Sequence, residues 1–132
     1  MEQVFVDTGA WYAYINARDP DHPSVQGFLE SFAGRLVTST YIFDETVTLV
    51  LARLGYQIAV KVGEVLLNHE VVELVRVTPS DEGSAWKLFC ERADKTYSFT
   101  DCTSFVLMRR LGLTKALALN EHFGQEGFEV VA

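Results

Sequence analysis

The stretch Gln3-Val4-Phe5-Val6-Asp7-Thr8-Gly9, followed by Trp11-Tyr12-Ala13-Tyr14-Ile15, decides how the chain is read. Gln3 to Val6 is a short apolar run with strand character. The polar turn Asp7-Thr8-Gly9 then opens a segment whose apolar residues suit a helix. A strand that runs straight into a helix is the first part of a crossover unit, so the question is whether the alternation continues.

It does. After the turn cluster Arg18-Asp19-Pro20-Asp21-His22-Pro23-Ser24, the residues Val25, Phe28, Leu29 and Phe32 recur at helical spacing. Arg35 to Thr38 reads as a short buried strand, and Ser39 or Thr40 is placed to cap a helix from about Tyr41 to Leu54, ended by Gly55. Tyr56 to Asn68 is expected to be helical, and the β-branched run Val71 to Val77 to be a strand. Pro79 and Ser80 open a helix through Trp86, Leu88 and Phe89. Asp94 to Phe99 is a polar connection, Thr100 to Leu111 a helix stopped by Gly112, and Lys115 to Leu119 and Phe128 to Val131 are closing strands. Short apolar strands alternating with helices predict an α/β three-layer sandwich, with a central parallel sheet of about five strands covered by helices on both faces. Repeats, linkers and low-complexity tracts are absent.

With 132 residues, the chain is expected to form a single domain over 1–132. Its 48% hydrophobic and 22% charged residues exclude intrinsic disorder as the main state. Glu45, Arg53, Lys61 and Glu64 interrupt the longest apolar region, so no membrane span is expected. Met1 to Asp7 has neither a basic leader nor a small-residue cleavage site, which makes the cytoplasm the expected location. Cys90 and Cys102 have no partners at disulfide-framework or zinc-ligand spacing and are read as buried free thiols. The net charge of −7 disfavours broad binding to nucleic acid by phosphate neutralisation. It leaves room for a carboxylate cluster that attracts phosphate once it has taken up a metal ion.

Ligands of open parallel sheets bind beyond the carboxyl ends of the strands, which directs attention to polar residues in those places. Asp7 follows the first strand, where it is either a helix cap or a site residue. Glu45 has Ile42 and Leu49 as neighbours at helical spacing, and Asp44 has Val47 and Leu51, so periodicity leaves both acids open. Asp101 leads the stripe Phe105 and Met108, with Ser98 at capping-box spacing before it. Asn120 ends a strand, as Asp7 does. Two polar residues beyond strands and two acids at helix starts, all at one sheet edge, are hard oxygen donors of the kind that Mg2+ or Mn2+ prefers.

These segments, Val4-Phe5-Val6-Asp7-Thr8, Thr40-Tyr41-Ile42-Phe43-Asp44-Glu45-Thr46, Ser98-Phe99-Thr100-Asp101-Cys102 and Ala116 to Phe123 with Gly127-Phe128, resemble the PIN-domain ribonucleases. The group most similar is the VapC-type toxins of toxin-antitoxin pairs. The resemblance spans essentially the whole chain. It implies a Mg2+- or Mn2+-dependent endonuclease for single-stranded RNA, a cognate antitoxin as partner and a homodimer, with helices Tyr41–Leu54 and Tyr56–Leu67 as the interface. Asp7, Glu45 and Asp101 match three acidic positions of the family and are the implied metal ligands. Asn120 stands where the family carries a fourth acid, and completes the implied catalytic set without contributing charge.

Thr8, Thr100 and Ser98 are candidate supporting hydroxyls. Arg18, Arg53, Arg92, Lys95 and Arg109 could meet RNA, and Trp11, Tyr12 and Tyr97 could stack on bases, although aromatics at helical spacing are more often core. His122 is read as a structural hydrogen-bonding residue beside the site; His22 and His69 receive no role. Two other readings compete. One is a catalytically impaired domain that binds RNA or protein, with Asn120 as its sign of decay. The other is a phosphotransferase with Asp7 as nucleophile, against which Gly9 stands where such enzymes need a second Asp.

Overall fold

The structure, a computed structural model, describes residues Met1–Ala132. The elements are β1 (Gln3–Val6), α1 (Thr8–Ile15), α2 (His22–Ser31), β2 (Arg35–Ser39), α3 (Thr40–Leu54), α4 (Tyr56–Leu67) and β3 (Val72–Val75) in the first half. The second half holds α5 (Pro79–Glu91), α6 (Phe99–Leu111), β4 (Lys115–Leu117), α7 (His122–Gln125) and β5 (Glu129–Val131). All strand pairs are parallel, and the sheet order is β3-β2-β1-β4-β5.

That order follows from the sequence. Parallel neighbours need a crossover, and right-handed crossovers from β1 out to β2 and β3 place α1 to α4 on one face of the sheet. The return from β3 to β4, and then to β5, places α5 to α7 on the other. The helix contacts agree: α1 touches α2 and α3, and α3 touches α4, while α6 touches both α5 and α7. Because both faces are covered, the central strand is apolar on both sides, and Val4, Phe5 and Val6 are each fully buried. The direction of strand addition reverses at β1. The crevice outside its carboxyl end, against β4, is where such folds bind ligands.

Expected and observed elements differ mainly at their ends. β3 is confined to Val72–Val75, β4 stops at Leu117 and α6 begins at Phe99. The four-residue helix α7 was not expected, since a single turn leaves too few residues to express a period. Cys102 is buried as expected, but Cys90 is exposed; it lies near the end of α5 on the side turned away from the buried Ala85 and Leu88.

Two buried carboxylates brace the α5–α7 layer. Asp81 completes a capping box with Thr78 and takes a two-pronged contact from Arg110 at 2.9 and 2.8 Å. Glu126 accepts from Arg92, Arg109 and the Tyr97 hydroxyl at 2.9–3.1 Å. Burial pushes the Glu126 carboxyl up, but these hydrogen bonds together outweigh it and leave it below the usual carboxylate range. Around them Tyr97, Phe123 and Phe128 pack on Phe105 with ring centroids 4.9–5.8 Å apart.

Candidate active site

An open cleft of about 590 Å³ lies at the carboxyl edge of the sheet, lined by Asp7, Thr8, Gly9, Glu45, Leu49, Ser98, Asp101, Leu119 and Asn120. All four residues expected at the site are among them. Four separate elements deliver them: the end of β1, the second turn of α3, the first turn of α6 and the loop after β4.

Asp7 is fixed by its backbone. Its N–H donates to the Leu117 carbonyl of β4 at 3.0 Å, and its carbonyl accepts from Ala10 and Trp11, both at 3.1 Å, which begins α1. Its side chain makes no capping hydrogen bond, so the helix does not use the carboxylate. With 6% of its surface exposed, Asp7 is pushed up to about 7, first by burial, then by the neighbouring Asp101 and to a smaller degree Glu45, with the Thr8 backbone opposing.

Asp101 both caps its helix and lines the cleft. Its Oδ2 accepts from the Ser98 N–H at 3.0 Å while Ser98 Oγ accepts from the Asp101 N–H, a complete capping box. His122 Nδ1 meets the same Oδ2 at 2.8 Å. Oδ1 is left without a partner. Glu45 is exposed, and its Oε1 accepts from the Thr8 hydroxyl. The choice between Asp44 and Glu45 is thereby resolved, since Asp44 does not line the cleft. Asn120 sits exposed at the rim, and its Oδ1 accepts from the His122 N–H at 3.0 Å.

No lysine or arginine lines the cleft, and no three His, Cys, Asp or Glu side chains close on a common point. The cluster is acidic, open and without a lysine or arginine as counter-charge. Of the supporting hydroxyls, Thr8 and Ser98 line the cleft and Thr100 does not. The basic candidates are occupied elsewhere: Arg92 and Arg109 on Glu126, Lys95 on Asp94, and Arg53 over the Tyr12 ring at 5.2 Å. Arg18 lies outside the cleft as well.

Trp11, Tyr12 and Tyr97 are core residues rather than stacking platforms. Trp11 donates to Thr38 at 3.3 Å, and Tyr97 to Glu126 at 2.9 Å. The exposed aromatics are instead Tyr14, Tyr56, Trp86 and Phe89, the last two stacked at 5.7 Å on α5. Leu49 and Leu119, the apolar walls of the cleft, were not singled out in the sequence, where nothing separates a wall leucine from a core one.

A family model described as the PIN domain matches residues 4–128. The chain belongs to the PIN-domain family. It is 35% identical over 125 residues to the 23S rRNA-specific endonuclease VapC20 of Mycobacterium tuberculosis, covering 95% of each chain. To Ribonuclease VapC26 of the same organism it is 29% identical over 121 residues, or 91% of this chain and 89% of that one. The crystal structure of VapC20, described as a sarcin-ricin loop cleaving toxin, matches with a TM-score of 0.90 and 34% identity over 95% of both chains. VapBC2 from Rickettsia felis, at 10% identity and a TM-score of 0.70 over 98% of this chain and 97% of its own, shares the fold.

The strained carboxylate has a measurable consequence. An unfolded Asp7 ionises near 3.8 and the folded one near 7. Between those values the folded chain holds a proton that the unfolded chain has released, so this residue makes stability fall as pH rises through the window. Asp7→Asn should therefore raise the melting temperature of the metal-free protein at about pH 8 by several degrees, on the order of 2 kcal/mol, and leave it nearly unchanged near pH 4. Thermal unfolding of both proteins across the range, in chelator, checks this; a variant less stable at every pH would show that Asp7 is structural.

Proposed function

We propose that the chain is a divalent-metal-dependent endoribonuclease for single-stranded RNA and the toxin of a toxin-antitoxin pair, with residues 1–132 acting as one domain. One observation carries this reading: Asp7, Glu45 and Asp101 line a single open cleft that contains no cationic side chain, and the most buried of them is driven to about 7. Similarity to VapC20, a 23S rRNA-specific endonuclease, supports the reaction class and RNA as the substrate.

Hard carboxylate oxygens in mutual repulsion fit a cation such as Mg2+ or Mn2+, and an arrangement that does not close on one point suits an ion that keeps much of its water shell. Asp7, Glu45 and Asp101 are the residues that would hold it. When bound, such an ion lowers the pKa of a water for in-line attack on a phosphodiester and offsets charge developing on the phosphate oxygens. The chain does the rest by positioning. Thr8 holds one Glu45 oxygen in place, Ser98 and His122 occupy one oxygen of Asp101 and leave the other without a partner, and Leu49 and Leu119 wall the site. Asn120 contributes a neutral oxygen at the rim.

The reading includes two partners. Exposed Leu51, Tyr56, Val60 and Leu67 on α3 and α4 line an apolar groove of about 240 Å³, which supports a second copy of the chain there. Exposed Tyr14 of α1 and Ile58 and Val65 of α4 line a second apolar groove with Trp11 and Ile15, which supports an apolar antitoxin segment there. No helix is long and apolar enough to cross a membrane, and action in the cytoplasm is part of this reading. A catalytically impaired binding domain has only Asn120 in its favour, and that residue sits exposed at the rim.

Incubation with a panel of RNAs that includes 23S rRNA should give discrete cleavage in Mn2+ and none in chelator. Asp101→Asn, which keeps an acceptor for Ser98 and His122 while removing a charge, should lower the rate at least about a hundredfold with little loss of stability. Cleavage that persists in chelator, or in that variant, would contradict the proposal.

Asn120→Asp preserves the contact with the His122 N–H and adds a fourth negative charge. It should destabilise the metal-free protein slightly and tighten Mn2+ binding several-fold. Calorimetric titration of both proteins reads the difference, and equal affinities would remove residue 120 from the site.

A further inference from the structure

His122 contacts two of the candidate site residues, one through its ring and one through its backbone. Its ring Nδ1 lies 2.8 Å from Asp101 Oδ2, and its backbone N–H donates to Asn120 Oδ1 at 3.0 Å. Since Oδ2 already accepts from the Ser98 N–H, both of its lone-pair directions are taken, and only Oδ1 of Asp101 remains for the cleft. The carboxylate accepts, so the proton of this contact sits on Nδ1. At the far side of the ring, Nε2 is 3.3 Å from the Thr96 hydroxyl.

The ring is itself held. Its plane meets Tyr97 edge-on at 5.3 Å between centroids, and the Tyr97 hydroxyl donates to Glu126, whose carboxylate is clamped by Arg92 and Arg109. A chain of contacts thus runs from the buried ion cluster of the α5–α7 layer, through Tyr97 and His122, to the carboxylate that opens α6. Helix capping alone does not call for this arrangement, because Ser98 and Asp101 already satisfy one another.

We propose that His122 is a positioning residue for the cation site: its Nδ1–H fixes the rotation of the Asp101 carboxylate so that Oδ1 faces the cleft. This rests on the metal-dependent reading above. Partners of a ligating carboxylate restrict its motion before the ion arrives, and their loss characteristically weakens metal binding without removing a ligand.

The test uses two conservative variants of the full chain. An asparagine places its amide nitrogen near the position of Nδ1, whereas a glutamine places it near Nε2. Calorimetric titration with Mn2+ should leave His122→Asn within about threefold of the wild type and weaken His122→Gln by about tenfold or more, at similar melting temperatures. Equal losses in both variants would assign the effect to ring packing on Tyr97, and no loss in either would show that Asp101 needs no such support; each overturns the inference.

A wild type that binds no Mn2+ would overturn the metal-dependent reading instead. The hydrogen bond is then judged alone by 15N NMR of His122, where the Nδ1–H tautomer sustains the positioning and the Nε2–H tautomer refutes it.

Discussion

A carboxylate buried at the end of the central strand beside two other acids is the constraint on which this molecule turns. Asp7 cannot move away, because its N–H is bonded to β4 and its carbonyl starts α1. Nor is it neutralised by a neighbour, because no lysine or arginine lines the cleft. Covering both faces of the sheet requires β1 to be apolar from Val4 to Val6, and that same covering puts the first polar residue after the strand in a desolvated position. The core that stabilises the fold is therefore what destabilises its own site, a tension that an external cation would relieve under the proposed function.

The supporting structure is organised so that the acids stay in place despite their repulsion. Thr8 holds Glu45, the capping box holds Asp101 from one side, and His122 holds it from the other. Elsewhere, negative charge is matched inside the fold: Asp81 by Arg110, and Glu126 by Arg92 and Arg109. The contrast is informative. Buried acids that brace the α5–α7 layer each have an arginine, and those that line the cleft have none.

Much of this was legible in the residues. The strand at Gln3 to Val6, the helices ended by Gly55 and Gly112 and the parallel sheet follow from apolar runs and stop signals that act over a few positions. Asp7 and Asp101 were legible because an acid directly after an apolar strand, or leading an apolar stripe, is out of place unless it has a task. Other features depend on distances across the sheet that no local pattern carries. Periodicity could not separate Asp44 from Glu45, since both sit on partly apolar stripes, and only the resemblance favoured Glu45. The bond from His122 to Asp101 joins residues in different elements, and Arg92 and Arg109 were free to face RNA until Glu126 was seen to claim them. Cap and site were set against each other at Asp101, yet its two oxygens divide the roles.

The central claim is that the site is strained without a cation and relieved with one, and the carboxyl group of Asp7 reports on it directly. Titration of that carbon by 13C NMR in metal-free protein should give a midpoint near 7, falling into the ordinary carboxylate range or below when Mg2+ is added. A midpoint near 4 in the absence of metal, or one that does not move with Mg2+, would contradict the account.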